Sequence, residues 1–139
     1  MLLLDTNHFS EIERGTERGT ALRARLRASC EERVLAIAGV EESLRGWLAE
    51  INRTTDLERQ IIPYAKLQSQ LEALRSWTFL GWDAEAAAMF RSFRAQGVRI
   101  GTMDLKIACI CLAHDATLLT RNARDFSQVP GLRFENWLD

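Results

Sequence analysis

The feature that most constrains the fold of this chain is the alternation of very short apolar runs with longer amphipathic stretches. Three of the apolar runs indicate buried strands: Leu2–Leu4, residues 34–37 and residues 117–120. Stretches with a helical spacing of apolar residues separate them. Short apolar strands that alternate with helices are typical of a parallel sheet covered on both faces. The sequence therefore predicts an α/β fold, a three-layer α/β/α sandwich with a central, mostly parallel sheet.

Two helical stretches dominate the first half of the chain. Residues 7–30 are predicted to form two helices, with breaks near Gly15 and Gly19. A helix over 40–53 is predicted to begin after Gly39. Its apolar residues are expected to face the core: Val40, Leu44, Trp47, Leu48 and Ile51.

The second half of the chain also alternates helical stretches with short apolar runs. A helix over 56–77, with Pro63 in its first turns or at a kink, is expected to bury one face. The inward residues of that face are Ile61, Tyr64, Leu67, Leu71 and Leu74. The other predicted elements are an edge strand at 79–80, an Ala-rich helix at 83–96, a helix with Thr102 at its N-cap, a loop over 121–126 that could contain a turn of helix, and a last strand at 132–134.

Composition bounds the class of protein. A chain of 139 residues with 47% hydrophobic residues, 27% charged residues and only 2 Pro is expected to form one ordered domain over residues 1–139. Its net charge of −1 excludes an indiscriminate binder of polyanions. No apolar run approaches the ~18 residues that a membrane span needs, and the N-terminus lacks the basic and apolar regions of a signal peptide. We therefore expect a cytoplasmic protein with no membrane contact.

Arginine accounts for 16 of the 18 basic residues, and six arginines fall within the first 33 residues. Arginine is well suited to phosphate, so these residues could form a face that follows a nucleic acid backbone. A solvated helix face is the alternative, and for a charge run taken alone it is favoured.

Acidic side chains are predicted to gather at the carboxyl edge of the sheet. Asp5 directly follows the first strand, and Asp125 follows the strand at 117–120 together with Thr120 and Asn122. Glu42 and Asp104 are expected in the first turns of helices that begin at the same edge. Each acid alone is explained by an ordinary role, either at a helix N-terminus or in a turn. Asp5 is the exception, because residues 5–7 offer three candidate caps where a helix needs one.

Carboxylates that converge in this way require protons or a cation. A hard divalent ion such as Mg²⁺ prefers carboxylate and water oxygens, and no His or Cys cluster competes for a softer metal. His8 and His114 are isolated in the sequence and are expected at the surface or with their hydrogen bonds satisfied. Metal ions held by carboxylates commonly activate water for attack on a phosphodiester.

Four ordered motifs then resemble a known family. They are Leu-Asp-Thr-Asn at 4–7, Val-Glu-Glu-Ser-Leu-Arg-Gly at 40–46, Gly-Thr-Met-Asp-Leu-Lys-Ile-Ala at 101–108 and Leu-Thr-Arg-Asn-Ala-Arg-Asp-Phe at 119–126. Their order and separation resemble the PIN-domain ribonucleases, in particular the VapC-type toxins of bacterial toxin–antitoxin pairs. The resemblance covers essentially the whole chain.

The resemblance implies an endoribonuclease that depends on Mg²⁺ or Mn²⁺, is neutralised by a cognate antitoxin and forms a homodimer. Asp5, Glu42 and Asp104 would be its metal-binding acids. Glu41 competes with Glu42, but the Glu-x-x-x-Gly spacing to position 46 favours Glu42. Many family members carry a fourth acid at the position of Asn122, and this chain has Asp125 three residues later. Either residue is a candidate for the fourth position.

Supporting roles also follow from the resemblance. Thr120 and Asn122 would orient metal ligands or the scissile phosphate, and Asn7 would hold the Asp5 loop. Arg45 and Arg121 lie within the motifs and are candidate contacts to RNA.

Three alternatives remain. A haloacid-dehalogenase-like phosphatase would need Asp-x-Asp-x-Thr, where this chain has Asn7 and Phe9. A receiver domain would need an acidic pair after the first strand and a phosphoacceptor aspartate after a middle strand, and residues 34–39 contain no aspartate. The third alternative is a catalytically weak PIN domain that serves as a scaffold for protein or RNA.

Overall fold

The sheet has five strands, all of them parallel to their neighbours. The computed structural model describes every residue from Met1 to Asp139. The strands are β1 (Leu2–Leu4), β2 (Arg33–Ala36), β3 (Thr78–Leu80), β4 (Thr117–Leu119) and β5 (Phe134–Glu135), in the spatial order β3-β2-β1-β4-β5. In register, Leu3 of β1 lies between Val34 of β2 and Leu118 of β4. The strand order therefore reverses between β1 and β4, at the centre of the sheet.

Seven helices connect and cover the strands. They are α1 (Thr6–Arg14), α2 (Glu17–Ser29), α3 (Ile37–Asn52), α4 (Ile61–Leu74), α5 (Ala84–Ala95), α6 (Thr102–Ala113) and α7 (Ala123–Phe126). None of them combines the length and the apolar character that crossing a membrane requires. The predicted three-layer α/β/α class is confirmed, and the sheet is parallel throughout.

Alternation along β1 divides the core into two clusters. Leu3 points to one face of the sheet, where it joins a cluster that includes much of α6. Leu2 and Leu4 point to the other face and pack with residues of α1 and α2, among them Phe9 and Leu22. Such alternation is what a strand covered on both sides requires.

Burial of α6 also raises the pKa of Cys109 to about 11 and that of Cys111 to about 12, so both remain uncharged thiols at neutral pH.

Several element boundaries differ from the sequence prediction. α4 spans Ile61–Leu74 instead of 56–77, β5 spans Phe134–Glu135 instead of 132–134, and α7 lies within the predicted loop. α3 begins at Ile37, so Gly39 lies inside the helix instead of before it. The break between α1 and α2 falls at Gly15, which has a φ of 62°, and Gly19 lies in the first turn of α2. Thr102 is the first helical residue of α6 and Gly101 occupies the N-cap position without a side-chain cap.

The apolar faces of α3 and α4 are only partly covered, contrary to the prediction, and Val40, Leu44, Trp47 and Leu67 are half-buried. Of the residues expected inward on these two helices, only Ile51 and Leu74 are buried. The large apolar side chains left open to solvent are Ile37, Leu48, Leu57, Ile61, Ile62, Tyr64 and Leu71. We call these seven residues the α3–α4 apolar surface. Helical periodicity predicted an apolar face correctly but did not predict that the chain leaves part of it uncovered.

The arginines of the first 33 residues mostly have partners within the chain. Arg14 and Arg18 pair with carboxylates, and Arg23 donates to the backbone carbonyl of Ile12. The guanidinium groups of Arg25 and Arg33 lie over tryptophan rings, at 4.0 and 4.9 Å from the ring centroids. These contacts favour the solvated-face alternative over a face that follows nucleic acid.

The close approach of α1 and α2 gives a stability prediction with a matched control. A Cβ at Gly19 would overlap the backbone carbonyl of Glu11, whereas a Cβ at Gly46 in α3 would meet no atom within 4 Å. We expect Gly19→Ala to lower the free energy of unfolding by about 1–3 kcal/mol or more through overpacking, and Gly46→Ala to raise it by about 0.5–1 kcal/mol through helix propensity. Urea denaturation followed by circular dichroism measures both. Equal stability of the two variants would contradict the observed packing of the helix pair.

Candidate functional site

Asp5 stands at the carboxyl end of β1 and also caps α1. Its Oδ1 accepts a hydrogen bond from the backbone N–H of His8 at 2.9 Å, and Nδ1 of the same histidine lies 3.0 Å from Oδ1. Burial alone would raise the pKa of Asp5, but hydrogen bonds from His8 and from the Thr120 hydroxyl outweigh it and leave the pKa below its usual value. Asp5 is therefore a carboxylate held in its ionised form.

His8 is the functional contact that sequence reasoning missed. Its side chain is wholly buried, and its Nε2 accepts a hydrogen bond from the backbone N–H of Trp137 at 3.2 Å. It was expected either at the surface or with its hydrogen bonds satisfied. The structure shows that it is buried and that its hydrogen bonds are satisfied, with Asp5 as one of its partners. The available signal was its position three residues after an aspartate N-cap, where a side chain can reach back to the cap.

Glu42, and not Glu41, faces the same opening as Asp5. The Thr6 hydroxyl donates to Glu42 at 3.2 Å, whereas Glu41 pairs with Arg45 one turn further along α3. The prediction that Glu42 lies in a first turn is wrong, because α3 begins at Ile37 and has no acid in its first turn. Stabilisation of a helix N-terminus therefore does not account for Glu42.

Asp104 completes a set of three carboxylates around one open cleft. It lies in the first turn of α6, and the cleft has about 560 Å³ of empty space. The lining residues are Asp5, Thr6, Asn7, Glu42, Asp104, Ile107, Asn122 and Phe126. Burial, and then the negative charges of Glu42, Asp125 and Asp5, raise the pKa of Asp104. No arginine or lysine forms an ion pair with the three carboxylates that line the cleft.

Asn122 and Asp125 occupy different places. Asn122 lines the cleft, and its Nδ2 donates to Oδ2 of Asp125 at 2.9 Å. Asp125 is not among the lining residues, although its charge still raises the pKa of Asp104. Thr120 is buried, and its hydroxyl accepts from the backbone N–H of Asn122 at 3.0 Å. Asn122 thus faces the cleft, with Asp125 behind it.

The remaining candidates are Asn7, Arg45 and Arg121. Asn7 lines the cleft and its side chain makes no hydrogen bond, whereas His8 supplies two contacts to Asp5. Arg45 is exposed and paired with Glu41. Arg121 makes a two-point ion pair with Asp139, at 2.9 and 3.0 Å.

The chemistry of the cleft fits a hydrated divalent cation. All its acidic donors are hard oxygens, and no arginine or lysine forms an ion pair with them to relieve their mutual repulsion. The carboxylates are nevertheless spread apart, since no three His, Cys, Asp or Glu side chains are close enough together to hold an ion among them. Mg²⁺ commonly keeps several waters and binds through only one or two carboxylates, which suits this spacing.

Comparison with known proteins gives the family. Residues 2–132 match the family model of the PIN domain. The chain belongs to the PIN domain family. The resemblance indicated by the four motifs is thereby confirmed.

One curated relative is similar to part of the chain in sequence, and two solved structures are similar to it in fold. The PIN domain is 45% identical over 42 residues to "Ribonuclease VapC2" of Rickettsia felis, an alignment that spans 30% of this chain and 31% of that protein. In fold it is similar to VapBC2 from Rickettsia felis bound to a promoter DNA fragment, with a TM-score of 0.73, 24% identity and 98% of each chain covered. DNA-bound VapBC from Salmonella typhimurium gives a TM-score of 0.76 at 23% identity over 98% of this chain and 97% of that one.

Charge repulsion in the cleft of this PIN domain predicts an effect on stability. We expect Asp104→Asn to raise the melting temperature of the metal-free protein at neutral pH, because it removes a carboxylate whose ionised form is disfavoured in the fold. Added Mg²⁺ should raise the melting temperature of the unsubstituted protein more than that of the variant. Thermal unfolding with EDTA and with Mg²⁺ measures both effects.

Glu58→Gln is the matched control, since Glu58 is exposed and its side chain has no hydrogen-bond or ion-pair partner. It should leave the response to Mg²⁺ unchanged. An Asp104→Asn protein that is no more stable without metal and is stabilised by Mg²⁺ as strongly as the unsubstituted protein would contradict this description of the cleft.

Proposed function

We propose that this PIN domain is a metal-dependent endoribonuclease and the toxin of a toxin–antitoxin pair. The observation that carries the proposal is the group of three carboxylates, none in an ion pair with an arginine or lysine, in one open cleft at the carboxyl edge of the sheet. The name of the Rickettsia relative supports ribonuclease activity, and the names of the structural neighbours support a paired antitoxin. We expect the protein to act in the cytoplasm, where its RNA substrates are.

Asp5 and Asp104 would hold Mg²⁺ or Mn²⁺, directly or through water, with Glu42 and Asp125 contributing negative charge around it. Such an ion supplies a more acidic bound water and offsets negative charge on phosphate oxygens. Within the chain, His8 and Thr120 keep Asp5 ionised. Asn122 presents an amide to the cleft and is held there by Asp125, so it is placed to orient a ligand or the scissile phosphate.

Water attack of this kind does not use the RNA 2′-hydroxyl as nucleophile. The expected products carry 5′-phosphate and 3′-hydroxyl ends, and preference for RNA would come from shape and from contacts to the 2′-hydroxyl away from the metal. Arg45 and Arg121 are the proposed RNA contacts. Because each already pairs with a carboxylate, a phosphate would have to compete with Glu41 and Asp139.

Protein partners are proposed on the α3–α4 apolar surface. Exposed apolar residues are common singly, but several on two adjoining helices mark an interaction site. We propose that the antitoxin and a second copy of the chain together cover this surface and the helices next to the cleft.

The scaffold alternative is retained on a specific observation. No three acidic or histidine side chains are close enough together to hold an ion as the structure stands, and the fourth position facing the cleft is an amide, Asn122. A scaffold would show no carboxylate-dependent cation binding and no cleavage.

Asp5→Asn tests the proposed activity. Asparagine caps a helix about as well as aspartate, so α1 should remain intact while the charge is lost. We expect RNA cleavage to fall by more than ~100-fold, because changes that only touch a metal ligand's neighbours already cost ~10–100-fold. A gel of total cellular RNA after brief induction, with mapping of fragment ends, measures the effect.

Asp83→Asn is the control, because Asp83 caps α5 in the same way, accepting from the N–H of Ala86 at 2.9 Å, and does not line the cleft. It should cleave RNA like the unsubstituted protein. If Asp5→Asn cleaves at the unsubstituted rate, or if the unsubstituted protein produces no fragments, the scaffold alternative is preferred.

A further inference from the structure

His8 joins the Asp5 carboxylate to the C-terminal segment, residues 136–139. The histidine is completely buried, yet both of its ring nitrogens have polar partners. Nδ1 lies 3.0 Å from Oδ1 of Asp5, and Nε2 lies 3.2 Å from the backbone nitrogen of Trp137. These partners are 132 positions apart in the sequence, since Asp5 follows β1 and Trp137 follows β5. The contact is therefore a product of the fold and not of local sequence.

The two partners independently assign the same tautomer to His8. An ionised carboxylate can only accept a hydrogen bond, so Nδ1 must carry the proton that it shares with Asp5. A backbone N–H can only donate, so Nε2 must be the bare nitrogen that accepts from Trp137. A histidine with the proton on Nε2 would satisfy neither partner. The arrangement resembles the way in which neighbouring groups fix the tautomer and orientation of residues at metal sites.

The C-terminal segment is itself firmly attached. Asp139 pairs with Arg121 at 2.9 Å and with Arg18 at 3.4 Å, and the Arg25 guanidinium lies 4.0 Å from the centroid of the Trp137 ring. Leu138, between these two residues, is buried in the cluster that also contains Leu4. The Trp137 N–H is thus a fixed donor that holds the His8 ring from the side opposite Asp5.

Both hydrogen bonds from His8 reach the same oxygen of Asp5. The backbone N–H and Nδ1 both contact Oδ1, at 2.9 and 3.0 Å. Because the backbone also holds Cβ of Asp5, fixing Oδ1 restricts rotation of the planar carboxylate and with it the direction of Oδ2. Capping of α1 needs only the backbone donor. The side-chain donor is therefore additional to what the helix requires.

We propose that His8 is a positioning residue: its Nδ1–H orients the Asp5 carboxylate for cation binding, and the C-terminal segment holds it in that tautomer. The metal-binding part of this inference rests on the proposed function. His8 itself contacts neither the RNA nor the cation, and it acts through Asp5.

Three substitutions separate the two hydrogen bonds from simple packing. His8→Asn retains a side-chain N–H near the place of Nδ1 and loses the acceptor for Trp137. His8→Gln can accept from Trp137 but no longer offers the donor at the place of Nδ1. His8→Leu loses both hydrogen bonds while filling the buried space. Circular dichroism and the melting temperature of each variant establish that it folds.

Calorimetry with Mn²⁺ alone is the first readout. We expect His8→Gln and His8→Leu to bind Mn²⁺ about 10-fold or more weakly, and His8→Asn to stay within about threefold of the unsubstituted protein. A packing role would give a different order, because asparagine fills the least volume and should be the least stable of the three. Binding affinity that follows melting temperature, with His8→Asn the weakest, would overturn the proposal.

The tautomer is a second readout that needs no cation. Long-range ¹H–¹⁵N correlation spectra of the metal-free protein should show His8 with a protonated Nδ1 and a bare Nε2. A proton on Nε2 would overturn the proposal whatever the metal does.

Asp5→Asn separates this inference from the proposed function. If the unsubstituted protein binds no Mn²⁺, or binds it as well after Asp5→Asn, the proposed metal site fails and positioning for a cation is overturned with it. If binding depends on Asp5 but is equal in all three His8 variants, the metal site stands and only the role of His8 is overturned.

Discussion

The parallel pairing of β1 with both β2 and β4 is the constraint on which the rest of the structure depends. Because these strands are parallel, the segments that leave β1, β2 and β4 all begin at one edge of the sheet. Because strand order reverses beside β1, those segments then diverge and leave an opening between them. Asp5 follows β1, α3 with Glu42 follows β2, and Asn122 follows β4. Packing of α6 on one face of the sheet then brings its first turn, and with it Asp104, to the same opening.

Within that opening, Asp5 and Asp104 lie in opposite electrostatic environments. Asp5 has hydrogen-bond donors that keep its pKa low, whereas Asp104 is partly buried among other negative charges that raise its pKa. A fold that served stability alone would pair or remove Asp104, so the uncompensated charge is a local cost of the kind found at functional sites. The net charge of −1 conceals this arrangement. Many of the arginines form contacts away from the cleft. Arg18 and Arg121, for example, both pair with Asp139.

The sequence predicted the fold class and most of the candidate site, for physical reasons that also explain what it missed. Apolar runs and helical spacing report burial and periodicity, so the strands and the sandwich could be predicted, and four ordered motifs identified the acids. The first residue of each helix was harder to predict. Gly39, for example, is compatible with a position before α3 and equally with a position inside it. Periodicity also cannot show whether a partner helix exists, and Ile61 and Leu71 are therefore exposed where burial was expected. The role of His8 depends on Trp137, a contact across 129 positions that no local pattern contains.

The central claim is that the carboxylates at this edge of the sheet bind a divalent cation through Asp5 and Asp104. A crystal structure of the unsubstituted protein grown with Mn²⁺, with anomalous data collected near the manganese edge, tests it most directly. We expect an anomalous peak in the cleft within coordination distance of at least one of these two carboxylates, and loss of that peak in crystals of the Asp5→Asn protein. A cleft without a peak at full Mn²⁺ loading, or a peak that remains unchanged in the Asp5→Asn protein, would contradict it.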